Sequence, residues 1–160
     1  MKYSYTIFAD YYQVYLVDQK MRSHRPNMWH EDAYLEERVA SAPGAIGIST
    51  VRNSDVPVEI EVSDSEPRGT FDGWDQVVDS SIEVQSEKLA LGGPGLDDDV
   101  PPIPVRPGTY RARVFFGGLN TLSPDELEGG DRYRIVLWPG PSKPVKVLKK
   151  HMPKGHNNKF

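Results

Sequence analysis

The sequence predicts a mainly β protein: a single antiparallel β-sandwich of roughly seven to nine strands with one short helix near residues 30–41. Two observations support this fold class. Aromatic and β-branched residues alternate with polar residues over short runs, and Pro- or Gly-containing turn signals recur at roughly 8–12-residue spacing. The chain has 160 residues, which is the usual length of one domain. We therefore expect a sandwich domain over residues 1–148 and a basic, disordered tail over residues 149–160.

The first quarter of the chain contains one strand-like region and the predicted helix. Residues 3–17 are dense in aromatic and β-branched residues, which predicts one long strand or two short ones. The apolar alternation shifts at Ala9 and Asp10, where a bulge would keep one face directed inward. Residues 29–42 are mostly good helix formers and precede a Pro-Gly pair, so the helix is predicted here.

The middle of the chain is predicted to form two pairs of strands. Period-two alternation predicts strands over residues 45–51 and 56–62, joined by a turn at residues 52–55. Residues 74–84 and 88–91 predict a hairpin.

The last third has the most regular alternation. Residues 110–116 place apolar side chains on one face and arginines on the other, which predicts a central strand. Residues 133–138 are predicted to form a further strand, and residues 143–148 are predicted to form a short edge strand. A long exposed loop rich in Pro and Gly is expected over residues 92–104.

Charge is distributed unevenly along the chain. All 23 acidic residues lie in residues 1–142 together with 13 of the 19 basic residues, so this body carries about −10 although the whole chain carries −4. Residues 143–160 contain six lysines and no acid. The body should repel nucleic-acid phosphates and attract a basic protein. We therefore expect no direct nucleic-acid binding by the body.

Composition excludes several classes of function. The absence of cysteine excludes thiolate nucleophiles and iron–sulfur clusters. The four histidines show no metal-ligand spacing, and no nucleophile elbow or phosphate-binding loop is found. No apolar run is long enough to span a bilayer. We expect a cytoplasmic protein with no metal site, no cofactor and no membrane contact.

Three short motifs resemble the ComJ family of small proteins that inhibit a bacterial DNA-entry nuclease. They are Phe8-Ala-Asp-Tyr-Tyr-Gln-Val-Tyr-Leu16, Ala42-Pro-Gly-Ala-Ile-Gly-Ile-Ser-Thr-Val-Arg-Asn53 and Val105-Arg-Pro-Gly-Thr-Tyr-Arg-Ala112. A wider resemblance, over most of residues 3–148, is to a family of uncharacterised bacterial β-sandwich proteins that share the motifs at residues 74–78, 107–110 and 131–139. Within the second motif, we expect Arg52 to pair with an acid and Asn53 to adopt a left-handed turn conformation.

The ComJ resemblance, together with the acidic body, predicts a non-enzymatic protein-binding module, an inhibitor or immunity-type protein acting on a basic nuclease. Acidic residues in predicted loops are the candidate partner-binding residues, because their charge would steer a basic cleft toward them. They are Asp97, Asp98, Asp99, Asp72, Asp75, Asp125, Glu126 and Glu128.

Two other classes of function remain open from the sequence. A small-ligand or carbohydrate-binding sandwich would use Trp74, Tyr133 or Trp138 as an aromatic platform. A hydrolase would use paired carboxylates such as Asp72 and Asp75. An exposed edge strand would also allow a homodimer.

Overall fold

A computed structural model describes residues 1–23, 26–96 and 100–152. Within these residues the chain forms eleven strands, so the predicted seven to nine are not confirmed. The strands are β1 (Lys2–Phe8), β2 (Gln13–Asp18), β3 (Val39–Ala42), β4 (Ala45–Ser49), β5 (Asp55–Val62), β6 (Gln76–Val84), β7 (Lys88–Gly92), β8 (Ile103–Pro104), β9 (Gly108–Gly117), β10 (Arg132–Pro139) and β11 (Lys146–Lys149). Short helical turns lie at Asp10–Tyr12, Gln19–Met21 and Ala33–Glu37.

The strands form two sheets, which confirms a mainly β, mostly antiparallel fold. The six-stranded sheet has the order β1-β5-β10-β9-β6-β11, and the five-stranded sheet has the order β3-β4-β2-β7-β8. One pair, β5 with β10, is parallel. As predicted, β9 is central, between β10 and β6, and β11 lies at an edge.

Both sheets contribute to one apolar core, because alternate residues of each strand point to the same side. The five-stranded sheet supplies Leu16, Ile46, Ile48 and Leu89 among others. The six-stranded sheet supplies the predicted alternating set on β9 and that on β10, which consist of Tyr110, Ala112, Val114, Phe116, Tyr133, Ile135 and Leu137. Burial of each large side chain contributes about 1.5–3 kcal/mol.

The helix predicted near residues 30–41 is wrong over its second half. The helical segment begins at Glu31 and Asp32, continues as the π-helical turn Ala33–Glu37, and ends at Arg38, which takes a left-handed conformation with φ of 62°. Val39–Ala42 forms strand β3 instead, paired with β4, with Val39 opposite Ile48. Pairing with a neighbouring strand and burial of Val39 outweigh the weak helix propensity of this short segment.

In two other places the chain passes from one sheet to the other, which the sequence did not predict. Residues 3–17 form two strands, but β1 and β2 belong to different sheets, and the Asp10–Tyr12 turn takes the place of the expected bulge. The hairpin predicted from residues 74–84 and 88–91 is wrong, because β6 and β7 also lie in different sheets. These two short connections therefore cross between the sheets.

The first residues of the predicted tail lie against the six-stranded sheet. Lys149 ends β11, and the buried His151 donates its backbone N–H to Gln76 Oε1 at 3.1 Å. Residues 153–160 lie outside the described residues.

Asp18 fixes the crossing between β6 and β7. Its buried carboxylate accepts hydrogen bonds from the backbone N–H groups of Gln85 (2.7 Å), Ser86 (3.3 Å) and Lys20 (3.3 Å), and from the Ser86 hydroxyl. Burial acts to raise the pKa of Asp18, but the hydrogen bonds together outweigh it and hold the pKa below the ordinary value.

Because the Asp18 pKa is lowered in the folded state, its stabilising effect is present above the unfolded pKa of about 3.9 and is lost as the pH falls through the folded value. We predict that Asp18→Asn lowers the free energy of unfolding at pH 7 by about 1–3 kcal/mol, because the amide nitrogen cannot accept these bonds. Urea unfolding between pH 7 and pH 2 measures both the loss at pH 7 and the shallower acid dependence. The exposed Asp64→Asn is the control, and an equal loss in the two variants contradicts the role of Asp18.

Candidate partner-binding surface

Several connections meet at one end of the two sheets. Phe8, the last residue of β1, lies opposite Asp55, the first residue of β5. The N–H of Ala9 donates to the Ser54 carbonyl, and the N–H of Thr50 donates to the Tyr12 carbonyl, both at 2.9 Å. We call the surface formed by residues 8–12, 50–55, 71–75 and 117–132 the loop end.

A buried ion pair joins two of these segments. Arg52 Nε lies 2.6 Å from Asp131 Oδ1, and Arg52 Nη1 donates to the Leu127 carbonyl at 3.2 Å. The Tyr133 hydroxyl donates to Asp131 Oδ2 at 2.6 Å and accepts the Val51 N–H at 2.9 Å. Burial and then Asp131 raise the pKa of Tyr133, so the phenol stays protonated and keeps donating. The predicted pairing of Arg52 with an acid is confirmed.

Segment 71–75 is tied to the same end from the other side. Asp75 donates its N–H to the Phe116 carbonyl at 2.7 Å, and its Oδ2 accepts the Leu119 N–H at 2.8 Å. Arg132 Nη2 donates to the Gly73 carbonyl at 2.8 Å. The connection between β9 and β10 is thus fixed at both of its ends.

Apolar side chains are exposed on this surface. The exposed fractions are 54% for Phe8, 69% for Tyr11, 37% for Tyr12 and 58% for Leu127. Large aromatic side chains supply much of the affinity at protein interfaces when they enter a partner's pocket. Three aromatic side chains and one leucine at one end of the molecule are therefore suited to protein binding.

The two tyrosines are held in an unfavourable backbone conformation. Tyr11 has φ of 57° and Tyr12 has φ of 63°, a left-handed region that costs a non-glycine residue about 1–3 kcal/mol. The side-chain Oδ1 of Asn53 accepts the Tyr11 N–H at 2.8 Å and fixes this turn. The left-handed conformation expected at Asn53 is wrong; it is found instead in the two tyrosines that Asn53 supports.

Acidic side chains lie in the same segments as the exposed apolar ones. The predicted residues Asp125, Glu126 and Glu128 are exposed, as is Asp55, and Asp10 is half-buried. The Asp125 carboxylate accepts hydrogen bonds from the Ser123 hydroxyl at 2.6 Å and the Leu127 N–H at 3.0 Å, which lower its pKa. Asp125 therefore stays ionised over the physiological pH range.

The other predicted acids have different placements. Asp72 is exposed on the loop end, whereas one oxygen of the half-buried Asp75 is occupied by the Leu119 N–H. Asp97, Asp98 and Asp99 lie outside the described residues. Their described neighbours, Gly92–Gly95 and Val100, line a cavity of about 410 Å³ together with Phe8, Asp10 and Asp55.

The three predicted platform residues are not assembled into one aromatic surface, although Trp74 and Tyr133 line a common cavity of about 350 Å³. Tyr133 is buried in the core against Phe116, and Trp138 is buried beneath Arg113, whose guanidinium carbon lies 5.1 Å from the Trp138 ring centre. The prediction that these two residues form a ligand platform is wrong, because β10 turns Tyr133 into the core and Arg113 of the neighbouring strand β9 covers Trp138. Trp74 is half-exposed, but the guanidinium of Arg132 covers its ring, with the guanidinium carbon 4.2 Å from the ring centre.

Phe8, Tyr11, Tyr12, Leu127, Asp10 and Asp55 were missed by the sequence reasoning. The break in alternation at Ala9 and Asp10 was the available signal. If this break is a bulge, Tyr12 faces inward, as the sequence predicted. If it is a change of sheet, the aromatic residues beside it, Phe8, Tyr11 and Tyr12, are expected to be exposed.

Within the described ranges, no three His, Asp or Glu side chains are grouped so as to hold a metal ion. Nor does any helix in that part of the chain have the length and apolar character needed to cross a membrane.

Comparison with known proteins gives a likeness of fold. No protein-family model matches the chain, and no curated protein sequence matches it. Among solved structures, ComJ from Bacillus subtilis, described as an inhibitor of the DNA-degrading activity of NucA, is similar with a TM-score of 0.62 and 18% identity, over 88% of this chain and 99% of ComJ. The crocagin biosynthetic gene J product is similar with a TM-score of 0.60 and 15% identity, over 88% of this chain and 98% of its own. The chain thus shares the fold of ComJ, the family that the three sequence motifs resemble.

Proposed function

We propose that this chain is a non-enzymatic protein-binding module of the inhibitor or immunity type, whose loop end binds a basic partner, a nuclease. The observation that carries the proposal is the meeting of exposed Phe8, Tyr11, Tyr12 and Leu127 with exposed acids on one preorganised surface. The fold shared with ComJ, a nuclease inhibitor, supports the same class of partner.

The charge of this surface favours a basic partner. A nuclease cleft that binds phosphates is lined by Lys and Arg, so an acidic surface is attracted to it at long range. Charge complementarity of this kind mainly speeds association, whereas buried aromatic anchors determine most of the affinity. The loop end provides both components.

We include Asp97, Asp98 and Asp99 in the proposed surface. Their described neighbours, Gly95 and Val100, line the same cavity as Phe8. Asp72 belongs to the surface by its exposure, and Asp75 is assigned a supporting role because it holds Leu119.

The direct test is capture of the partner on the immobilised full chain from extracts of the source cells, followed by purification of any stoichiometric protein and assay of its nuclease activity. We expect a basic protein whose DNA cleavage falls on addition of the chain. Retention of no stoichiometric protein, or of one that remains fully active in the complex, contradicts the proposed inhibitor function.

We predict that Tyr11→Asn combined with Tyr12→Asn weakens partner binding by at least about tenfold, because two aromatic anchors are removed. Asn tolerates the left-handed conformation, so the variant should be at least as stable as the wild type. Calorimetry gives the affinity and urea unfolding gives the stability.

Tyr34→Asn is the matched control for this variant, because Tyr34 has the same exposure as Tyr12 but lies in the Ala33–Glu37 turn. Unchanged affinity in the double variant, or an equal loss in the control, rules out these tyrosines as anchors.

The exposed acids should act mainly on the rate of association. We predict that Asp125→Asn, Glu126→Gln and Glu128→Gln together lower the association rate constant by about tenfold at low salt and flatten its salt dependence. Stopped-flow mixing at several salt concentrations measures both quantities.

A second triple variant keeps the change in net charge the same. Asp64, Glu83 and Glu87 are exposed acids away from the loop end, and their amide variants should have a much smaller effect. If the two triple variants slow association equally, net charge rather than the loop end steers the encounter.

A further inference from the structure

A separate cavity lies between the helical turn Ala33–Glu37 and the residues that follow β11. It has a volume of about 340 Å³ and is lined by Leu35, Glu36, Arg38, Gln76, Lys150, His151 and Met152. This size falls at the small end of the range for pockets that bind small molecules. None of these residues belongs to the segments that define the loop end.

Arg38 is the unusual member of this cavity. It is half-buried, and no side chain or carbonyl of the described residues gives its guanidinium an ion pair or a hydrogen bond. The arginines of the six-stranded sheet differ: Arg113 pairs with Asp79, Arg134 with Glu59, and Arg111 donates to Ser81. A partly desolvated cation without a counter-ion is unfavourable, and burial lowers the pKa of Arg38 accordingly.

The backbone conformation of Arg38 is also unfavourable in energy. Its left-handed φ of 62° is uncommon for a non-glycine residue, and its carbonyl is fixed by the Ser49 N–H at 2.9 Å. It directly follows a π-helical turn, a rare element that often occurs at functional sites. Strain and an unsatisfied charge therefore coincide in one residue of a cavity wall.

The groups around Arg38 add little further positive charge to the cavity. The buried His151, whose pKa is lowered by burial, and the exposed Lys150 line the same wall. Lys150 Nζ is paired with Glu36 Oε2 at 2.6 Å, and Gln76 Nε2 is committed to the Glu36 and Glu37 carbonyls at 3.2 and 2.8 Å. Arg38 is thus the cation left for an incoming anion.

We propose that this cavity binds a small organic carboxylate that carries an apolar group. The planar guanidinium of Arg38 presents parallel N–H donors that match the two oxygens of a carboxylate. Leu35 and Met152, both largely exposed, provide apolar contact for the remainder of the ligand. Because Lys150 and Glu36 pair with each other, Arg38 supplies one positive charge, which matches a single carboxylate better than a doubly charged phosphate.

Hexanoate is the probe, with hexanol and inorganic phosphate as comparison ligands, added to the full chain without any partner. Calorimetry and the His151 imidazole resonances report binding. We expect saturable binding of hexanoate, weaker or no binding of hexanol and phosphate, and a loss of at least about tenfold in affinity for Arg38→Asn. Asn accepts the left-handed backbone, so this variant should keep its fold.

Arg106→Gln is the control. Arg106 is an exposed arginine just before the start of β9, whereas Gln76 of the cavity lies opposite Phe116 near the other end of that strand. This variant should leave hexanoate affinity unchanged. Arg38→Lys, which keeps the charge but not the paired donors, should give an intermediate affinity. The proposal is overturned by no saturable hexanoate binding up to about 10 mM. Equal binding of hexanol, tighter binding of phosphate, or unchanged affinity in Arg38→Asn also overturns it.

Discussion

The ion pair between Arg52 and Asp131 is the interaction on which the loop end depends. It is buried, and Tyr133 completes it by donating to the second carboxylate oxygen. Removing one partner of such a pair leaves an uncompensated buried charge, which typically costs about 3–5 kcal/mol. Arg52 lies in the connection between the two sheets and Asp131 immediately precedes β10, so the pair fixes the segments that carry the exposed aromatic and acidic residues.

The rest of the surface is built outward from this pair. The adjacent Asn53 holds the strained turn that displays Tyr11 and Tyr12, and the Arg52 guanidinium also holds the carbonyl of exposed Leu127. A surface ordered before binding loses less conformational entropy when the partner arrives. The side chains of the two tyrosines do not pack in the core, so core packing does not explain their strained backbone. A role in a binding surface does explain it.

The sequence predicts those parts of the fold that depend on local alternation. The faces of β9 and β10 follow from period-two patterning, because one side of each strand enters the core. The error at Val39–Ala42 arose because strand pairing with β4 is a non-local interaction that helix propensity does not contain. The false hairpin at residues 74–91 arose because a short connection between strands of two sheets resembles a hairpin turn in sequence. For the site, charge alone identified Asp125, Glu126 and Glu128 as exposed. The exposure of Tyr11 depends on whether the break in alternation at Ala9 and Asp10 is a bulge or a change of sheet, and alternation alone does not distinguish the two.

Hydrogen–deuterium exchange of the chain, free and bound to its purified partner, tests the central claim most directly, because it maps the contact without any substitution. The account predicts new protection in residues 8–12, 50–55 and 117–132, with little change over residues 2–7 of the edge strand β1 and in the edge strand β11. Protection confined to an edge strand, or to the end of the sheets where Asp18 holds the β6–β7 crossing, would contradict it.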